Sequence, residues 1–304
     1  MKVIYGINKI REFRKPVVAL GVFDGLHIGH RRILKEVVRI SKRINGTSVV
    51  VTFYPHPQKK ERIYSQKHRL RLLGELGIKV CIVIRFNKQF SQILEGDFIK
   101  DVLVKKIRAN YICVGKNFRF GKGARGDIRI LDKLSRVYNF KLKVFDVFKI
   151  NQQVISSTYI RRLITKGNLL LAQRFLCHPV SILGEVIKGI SLAKKLGFPT
   201  ANIDPHHEVL PPSGVYAVKI KFNNMQFKGV CFIGSRSILP NLEKSLIVEV
   251  HIFGFNKSIY GKDIEVEFIS KIRNAKRFNS QESLAIQVKN DIIRAKKRLA
   301  FSLH

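Results

Sequence analysis

The chain has 304 residues, 45% of them hydrophobic, and its 57 Lys and Arg against 21 Asp and Glu leave a formal net charge of +36. That size supports one large core or two smaller ones, and no apolar run approaches the ~18 residues that would span a membrane. The basic excess would draw polyanions non-specifically at low salt, but it is spread along the whole chain with no RNA-binding pattern, so no specific nucleic-acid recognition is expected.

Met1-Lys2-Val3-Ile4-Tyr5 opens without the long apolar segment and cleavage site of a secretory signal, which predicts a cytoplasmic protein. Residues 17–23 form an apolar run that reads as a buried strand. The string Gly21-Val22-Phe23-Asp24-Gly25-Leu26-His27-Ile28-Gly29-His30 then passes through a glycine turn into a helix. Strand, tight turn and helix N-terminus together make an anion site, because free N–H groups and the helix dipole converge there. His27 and His30 add donors on one face by their i, i+3 spacing, and Gly25 and Gly29 let backbone approach a phosphate closely. A nucleotide phosphate site with histidines serving the reacting phosphorus is the expectation.

Helical periodicity follows at 32–44, with Ile33, Leu34, Val37, Val38, Ser41 and Ile44 along one stripe. Further strand-like runs at 48–53, 80–86, 111–114 and 142–148 alternate with helical patterns, which argues for a parallel sheet covered on both faces. Ligands on such sheets bind beyond the carboxyl ends of the strands, where His27 and His30 fall. Thr52-Phe53-Tyr54-Pro55-His56-Pro57 and Gly115-Lys116-Asn117-Phe118-Arg119-Phe120-Gly121 leave two later strands at the same edge. Gly121-Lys122-Gly123-Ala124-Arg125-Gly126 matches Gly-x-Gly-x-x-Gly, with Asp146 twenty residues on, but it arrives late in the sheet rather than at the first βα turn. It reads as a mobile loop over the substrate site. Ile155-Ser156-Ser157-Thr158-Tyr159-Ile160-Arg161 starts a short helix with hydroxyls and an arginine in its first turn, a second anion-binding arrangement. Helices at 158–165 and 169–176 close this half.

Beyond residue 180 the pattern changes to short strands at 180–187, 215–222, 226–233, 245–253 and 263–269, punctuated by Pro, Gly and Asn, and ends in a helix at 280–299. That helix is expected to gather Leu284, Ile286, Val288, Ile292, Ile293 and Ala295 on one side. A small antiparallel barrel with a terminal helix follows. Cys81, Cys113 and Cys231 lie in strand-like runs as core residues, and no Cys-x-x-Cys pair suggests zinc or a disulfide framework.

Gly-x-Phe-Asp-Gly-x-His-x-Gly-His at 21–30 resembles the bacterial riboflavin kinase/FMN adenylyltransferase family, also called FAD synthetases, and the later N-terminal segments follow that family's order. Gly197-Phe198-Pro199-Thr200-Ala201-Asn202, Pro212-Ser213-Gly214-Val215-Tyr216-Ala217, Val248-Glu249-Val250-His251-Ile252, Tyr260-Gly261 and Lys271-Ile272-Arg273 resemble its kinase half. The resemblance implies an α/β parallel-sheet nucleotidyltransferase domain over 1–179 and a β-barrel riboflavin kinase domain over 180–304. It implies two reactions: ATP phosphorylates riboflavin to FMN, and FMN then takes an adenylyl group from ATP, giving FAD and pyrophosphate. His27 and His30 would stabilise charge on the phosphates, with Gly21, Phe23, Asp24, Gly25 and Gly29 around them. Ser157, Thr158 and Arg161 would hold the leaving polyphosphate, and Asn117, Phe118 and Arg119 would shape the flavin or adenine pocket. Magnesium would accompany ATP, with Asp24 a candidate to approach it in this half. Gly197, Thr200 and Asn202 would meet ATP in the kinase half, Thr200 and Asn202 through Mg²⁺, and Glu249 would serve as general base.

Two segments depart from the family pattern: the loop at 188–196 has fewer glycines, and Ser237-Ile238 stands where a Pro-Thr pair is common. The alternatives are an adenylyltransferase alone, with a non-catalytic flavin-binding barrel, and a nucleic-acid-binding protein on an old nucleotidyltransferase scaffold.

Overall fold

The computed structural model describes residues 1–55, 62–189, 197–235 and 246–300. His56 and Pro57 of the second-strand motif, 190–196 of the kinase loop, and Arg236, Ser237 and Ile238 lie outside the described residues. The chain divides into two compact units, Met1–Lys60 with Gln66–Tyr159, and Ile160–His304 with the short segment Glu61–Ser65.

The first unit is built on six parallel strands: β1 (Lys2–Tyr5), β2 (Pro16–Leu20), β3 (Thr47–Tyr54), β4 (Val80–Arg85), β5 (Tyr111–Gly115) and β6 (Lys141–Phe145). They lie in the order β1-β4-β3-β2-β5-β6. All five residues of β2 are buried, as both faces of a central parallel strand must be. Its run stops at Leu20 rather than Phe23, because Phe23 takes a left-handed φ of 54° that no strand accommodates. The chain leaves β2 toward β3 on one side and leaves β5 toward β6 on the other. The crevice at their carboxyl ends is thus the switch point where such sheets bind ligands.

Helices α1 (Ile28–Arg43), α2 (Gln66–Glu75), α3 (Lys88–Ser91), α4 (Glu95–Asp97) and α5 (Ile128–Val137) surround the sheet, α4 running on into a π-helical stretch, Phe98–Lys106. α1 buries Ile33, Leu34, Val37, Ile40 and Ser41. A small hairpin, β7 (Lys149–Ile150) with β8 (Gln153–Val154), precedes α6 (Ser157–Thr165) and α7 (Leu169–Leu176).

The second unit closes a six-stranded antiparallel barrel from β9 (Ser181–Ile187), β10 (Ala201–Asp204), β11 (Gly214–Phe222), β12 (Met225–Ser235), β13 (Leu246–Ile252) and β14 (Asp263–Asn274). Val248, Val250 and Ile252 of β13 are buried while Ile247, Glu249 and His251 are half-exposed, the alternation a one-sided strand requires. Helix α8 (Gln281–Ala300) buries Asp291, Ala295 and Leu299. The expected apolar stripe is corrected here: Ile286 and Ile293 are exposed. The helix is held instead by Ala295 and Leu299 packing on Ala217 and by Asp291, which accepts from Nε and Nη2 of Arg273 at 3.0 and 2.7 Å.

The short segment counted with the barrel is well anchored. Ile63 and Tyr64 are buried, and the Ser65 N–H donates to Glu208 Oε1 at 2.7 Å. The other Glu208 oxygen accepts from Leu183 N–H at 3.1 Å, the Val209 N–H donates to the Arg62 carbonyl, and the Tyr64 hydroxyl meets His178 Nε2 at 3.2 Å.

Candidate active sites

At the carboxyl end of β2 the chain makes a tight turn. Phe23, Gly25 and Leu26 have φ of 54°, 81° and 43°. Residues of left- and right-handed backbone in succession turn their N–H groups toward one concavity, a nest that suits an anion. His27 occupies the N-cap position of α1, and its side chain makes no cap hydrogen bond. The first-turn N–H groups are therefore not satisfied by that cap, as the sequence motif anticipated.

The imidazoles of His27 and His30 stack with centroids 3.7 Å apart at 23°, and the Phe23 ring meets His30 edge-on at 5.3 Å. Gly29 lies close against the His27 ring: a Cβ there would be 3.2 Å from that imidazole, which would have to give by a few tenths of an ångström. Nδ1 of each imidazole is buried without a hydrogen-bond partner among the described residues. Burial lowers the His27 pKa to about 4. Burial first, then the neighbouring His27 and Arg69, hold His30 well below the usual histidine range. Both rings are neutral at pH 7, so each offers one N–H donor rather than a fixed positive charge.

Ser157 donates to the Asp24 carbonyl at 2.7 Å, which ties the first turn of α6 to the nest; its proton is committed to the backbone. Thr158 beside it is exposed, and Arg161, one turn along α6, is 8% exposed. Past β5, Asn117 and Arg119 are exposed and Phe118 stacks on Phe120 at 5.6 Å. Arg119 is steadied by Asp127, 3.1 Å away, the residue that also caps α5. The glycine-rich segment that follows forms a short 3-10 turn, Lys122–Ala124, closed by pairing of Phe120 with Gly126. Asp146 pairs with Lys116.

In the barrel unit, Asn202 of β10 stands directly opposite Glu249 of β13. Asn202 is 9% exposed and Glu249 half-buried. Gly189 packs against Asn202: a Cβ there would fall 2.0 Å from the Asn202 amide nitrogen. Gly197 holds a left-handed φ of 84° that starts the turn into Thr200. His251 Nδ1 meets the Pro199 carbonyl at 2.8 Å and fixes that turn on β13. A cavity of about 340 Å³ lies alongside, lined by Thr200, Val250, Phe255, Lys257 and Tyr260. The structure thus brings Gly189, Asn202 and Glu249 together.

Sequence reasoning passed over Arg69 and Arg31, which with Thr52 and Ser157 hold the nest's carbonyls. Arg69 is buried beside Leu72 and Leu73 in α2, where one more basic residue among Lys67, His68 and Arg71 leaves no pattern that would have marked it. Among the described residues no three His, Cys, Asp or Glu side chains cluster as metal ligands, and no helix is long and apolar enough to cross a membrane.

Residues 9–159 match the FAD synthetase family and residues 176–299 the riboflavin kinase family. The bifunctional riboflavin kinase/FMN adenylyltransferase of Buchnera aphidicola subsp. Schizaphis graminum is 35% identical, covering 98% of each chain. The Escherichia coli K12 protein of the same name is 34% identical over 98% of this chain and 97% of its own. Among solved structures, one titled a macrolide-efflux protein from Streptococcus pneumoniae superposes with a TM-score of 0.82 at 25% identity, covering 96% of this chain and 97% of that one.

Proposed function

The chain belongs to the bifunctional riboflavin kinase/FMN adenylyltransferase family and catalyses both reactions, and from that premise we propose which residues carry each of them. Adenylyl transfer is assigned to residues 1–179 and phosphorylation of riboflavin to 180–304. The observation that carries the first assignment is the stacked, neutral His27–His30 pair over a nest at the switch point of the parallel sheet.

An FMN phosphate oxygen attacks the α-phosphorus of ATP in line, a new P–O bond forms, and the bond to pyrophosphate breaks. No side chain need be a nucleophile; positioning and charge stabilisation do the work. His27 and His30 donate to the phosphate oxygens as charge builds. Gly21, Phe23, Asp24, Gly25 and Gly29 shape the wall that admits the triphosphate. Ser157 holds the turn through the Asp24 carbonyl, while Thr158 and Arg161 take the leaving polyphosphate. Asn117, Phe118 and Arg119 form the flavin or adenine pocket.

In the barrel unit, Glu249 removes the proton from the ribityl 5′-hydroxyl as that oxygen attacks the γ-phosphorus of a second ATP; the new P–O bond forms as the bond to ADP breaks, and ADP leaves. Gly197, Thr200 and Asn202 receive that nucleotide. The donor set suits Mg²⁺, a hydroxyl and an amide oxygen being hard ligands, and the Asn202 amide sits in a cradle that a methyl at Gly189 would fill. Thr200 and Asn202 would hold the ion, which when bound neutralises phosphate charge. We place the enzyme in the cytoplasm, with riboflavin, FMN and ATP as its small-molecule partners and no specific nucleic acid.

Incubation of pure protein with ATP and Mg²⁺, and with either riboflavin or FMN, tests the assignments by chromatography of the flavins. His30→Ala should stop FAD formation while FMN accumulates, and Glu249→Ala should stop FMN formation while FMN is still converted to FAD. Either step proceeding at wild-type rate in its own variant refutes that residue's role.

A further inference from the structure

We propose that Arg69 of α2 is a positioning residue for adenylyl transfer, holding the Val22 carbonyl so that the turn's N–H groups are aimed at the nucleotide phosphates. The proposal rests on the assignment of this corner to that reaction.

Three alternate carbonyls of the turn are each held by side chains from elsewhere. Val22 O accepts from Thr52 Oγ1 at 3.1 Å and from Arg69 Nη1 at 2.7 Å. Asp24 O accepts from Ser157 Oγ at 2.7 Å, and Leu26 O from Arg31 Nε at 3.1 Å. Across a planar trans peptide the carbonyl oxygen and the next residue's N–H point in opposite directions. Fixing the oxygens of 22, 24 and 26 therefore fixes the N–H groups of Phe23, Gly25 and His27, all on the opposite side of their peptide planes. The left-handed conformations at Phe23, Gly25 and Leu26 are costly for the two non-glycine residues, and such backbone persists only where surrounding bonds over-determine it.

Of these donors Arg69 alone is a cation buried to 3% exposure. Its field reaches His30, so it also reaches the space that the imidazole borders. In that shielded corner a positive charge acts more strongly on an arriving triphosphate than a surface lysine would.

The test uses the full-length enzyme with Arg69→Met, Arg69→Gln and Arg69→Lys. FAD formation from FMN gives kcat and KM, and phosphorylation of riboflavin by the same preparation reports on folding. Arg69→Met should lower kcat for FAD formation about 100-fold, the loss expected of a ~1 Å misplacement, with KM for FMN and the kinase rate unchanged. Arg69→Lys, which keeps a charged donor, should recover much of it. Thr52→Val should be non-additive with Arg69→Met, because both act on one carbonyl. Where Arg69→Met does not fold, Arg69→Gln takes its place with the same expectation. A wild-type kcat in the folded variant, or an equal fall in both activities, overturns the proposal. His30→Ala separates the two levels: if it leaves FAD formation intact, the assignment of the corner fails, whereas loss there with no effect at Arg69 defeats this inference alone.

Discussion

Replacing Gly189 with alanine perturbs the kinase half at one point. The added methyl would lie 2.0 Å from Asn202 Nδ2, 2.3 Å from Cγ and 2.7 Å from Oδ1. Ordinary contact begins near 3.4 Å, so the amide must withdraw by about 1.4 Å or the strand must shift. Overpacking of this kind costs about 1–3 kcal/mol, and turning aside one short side chain lies at the low end of that range. The functional cost is larger, because Asn202 is the residue proposed to meet the nucleotide, and a displacement near 1 Å is worth about 100-fold in rate. The assay follows riboflavin to FMN by chromatography, with FMN to FAD in the same sample as the internal control and a thermal melt beside it. The expected result is a kinase rate down about 100-fold, FAD formation from FMN unchanged, and a modest loss of stability. A kinase rate equal to wild type would refute both the placement of Asn202 at the nucleotide and the packing argument from Gly189.

Acid should weaken the first unit through His27, whose pKa burial lowers to about 4 from 6.5. The unfolded chain takes up that proton more readily, so the contribution is fully present above pH 6.5 and disappears as pH falls to about 4; the shift corresponds to about 3 kcal/mol. Denaturant titrations between pH 4 and 7 should show this slope in the wild type and less of it in His27→Gln, and a slope of opposite sign would contradict the burial argument. Asp291→Ala should cost about 1–3 kcal/mol in urea unfolding, since it takes the buried carboxylate away from the half-buried Arg273 guanidinium. A loss below about 1 kcal/mol, the worth of a surface pair, would mean that α8 is held by its apolar contacts alone.

The central strands and the nucleotide turn were legible because their causes are local. Runs such as 80–84 are apolar on both faces, and only a strand between two covered faces needs that. The turn was written in its glycines and in the spacing of its histidines. Three features were hidden. β1 is four residues long, and pairing with β4 rather than its own composition makes it a strand. Ala201 and Asn202, legible as part of a turn, enter β10 because β13 and β9 offer hydrogen bonds on both sides. The α8 stripe was misjudged because apolar spacing alone could not reveal that an aspartate would be the buried anchor. At the first site, the sequence named the residues of the turn but not which side chains hold its carbonyls. Arg69 and Thr52 lie 47 and 30 residues from the carbonyl they hold, and no periodicity links them to it.

The Glu208 anchor bears on how this protein could be divided. A single cut after residue 159 or 179 would not yield two natural halves. The amino-terminal piece would keep Ile63 and Tyr64 as greasy, uncovered side chains, and the carboxyl-terminal piece would keep a carboxylate stripped of the Ser65 amide that it grips. Gene fission at that joint would thus demand repair on both fragments, a barrier to separating the two activities that has nothing to do with catalysis.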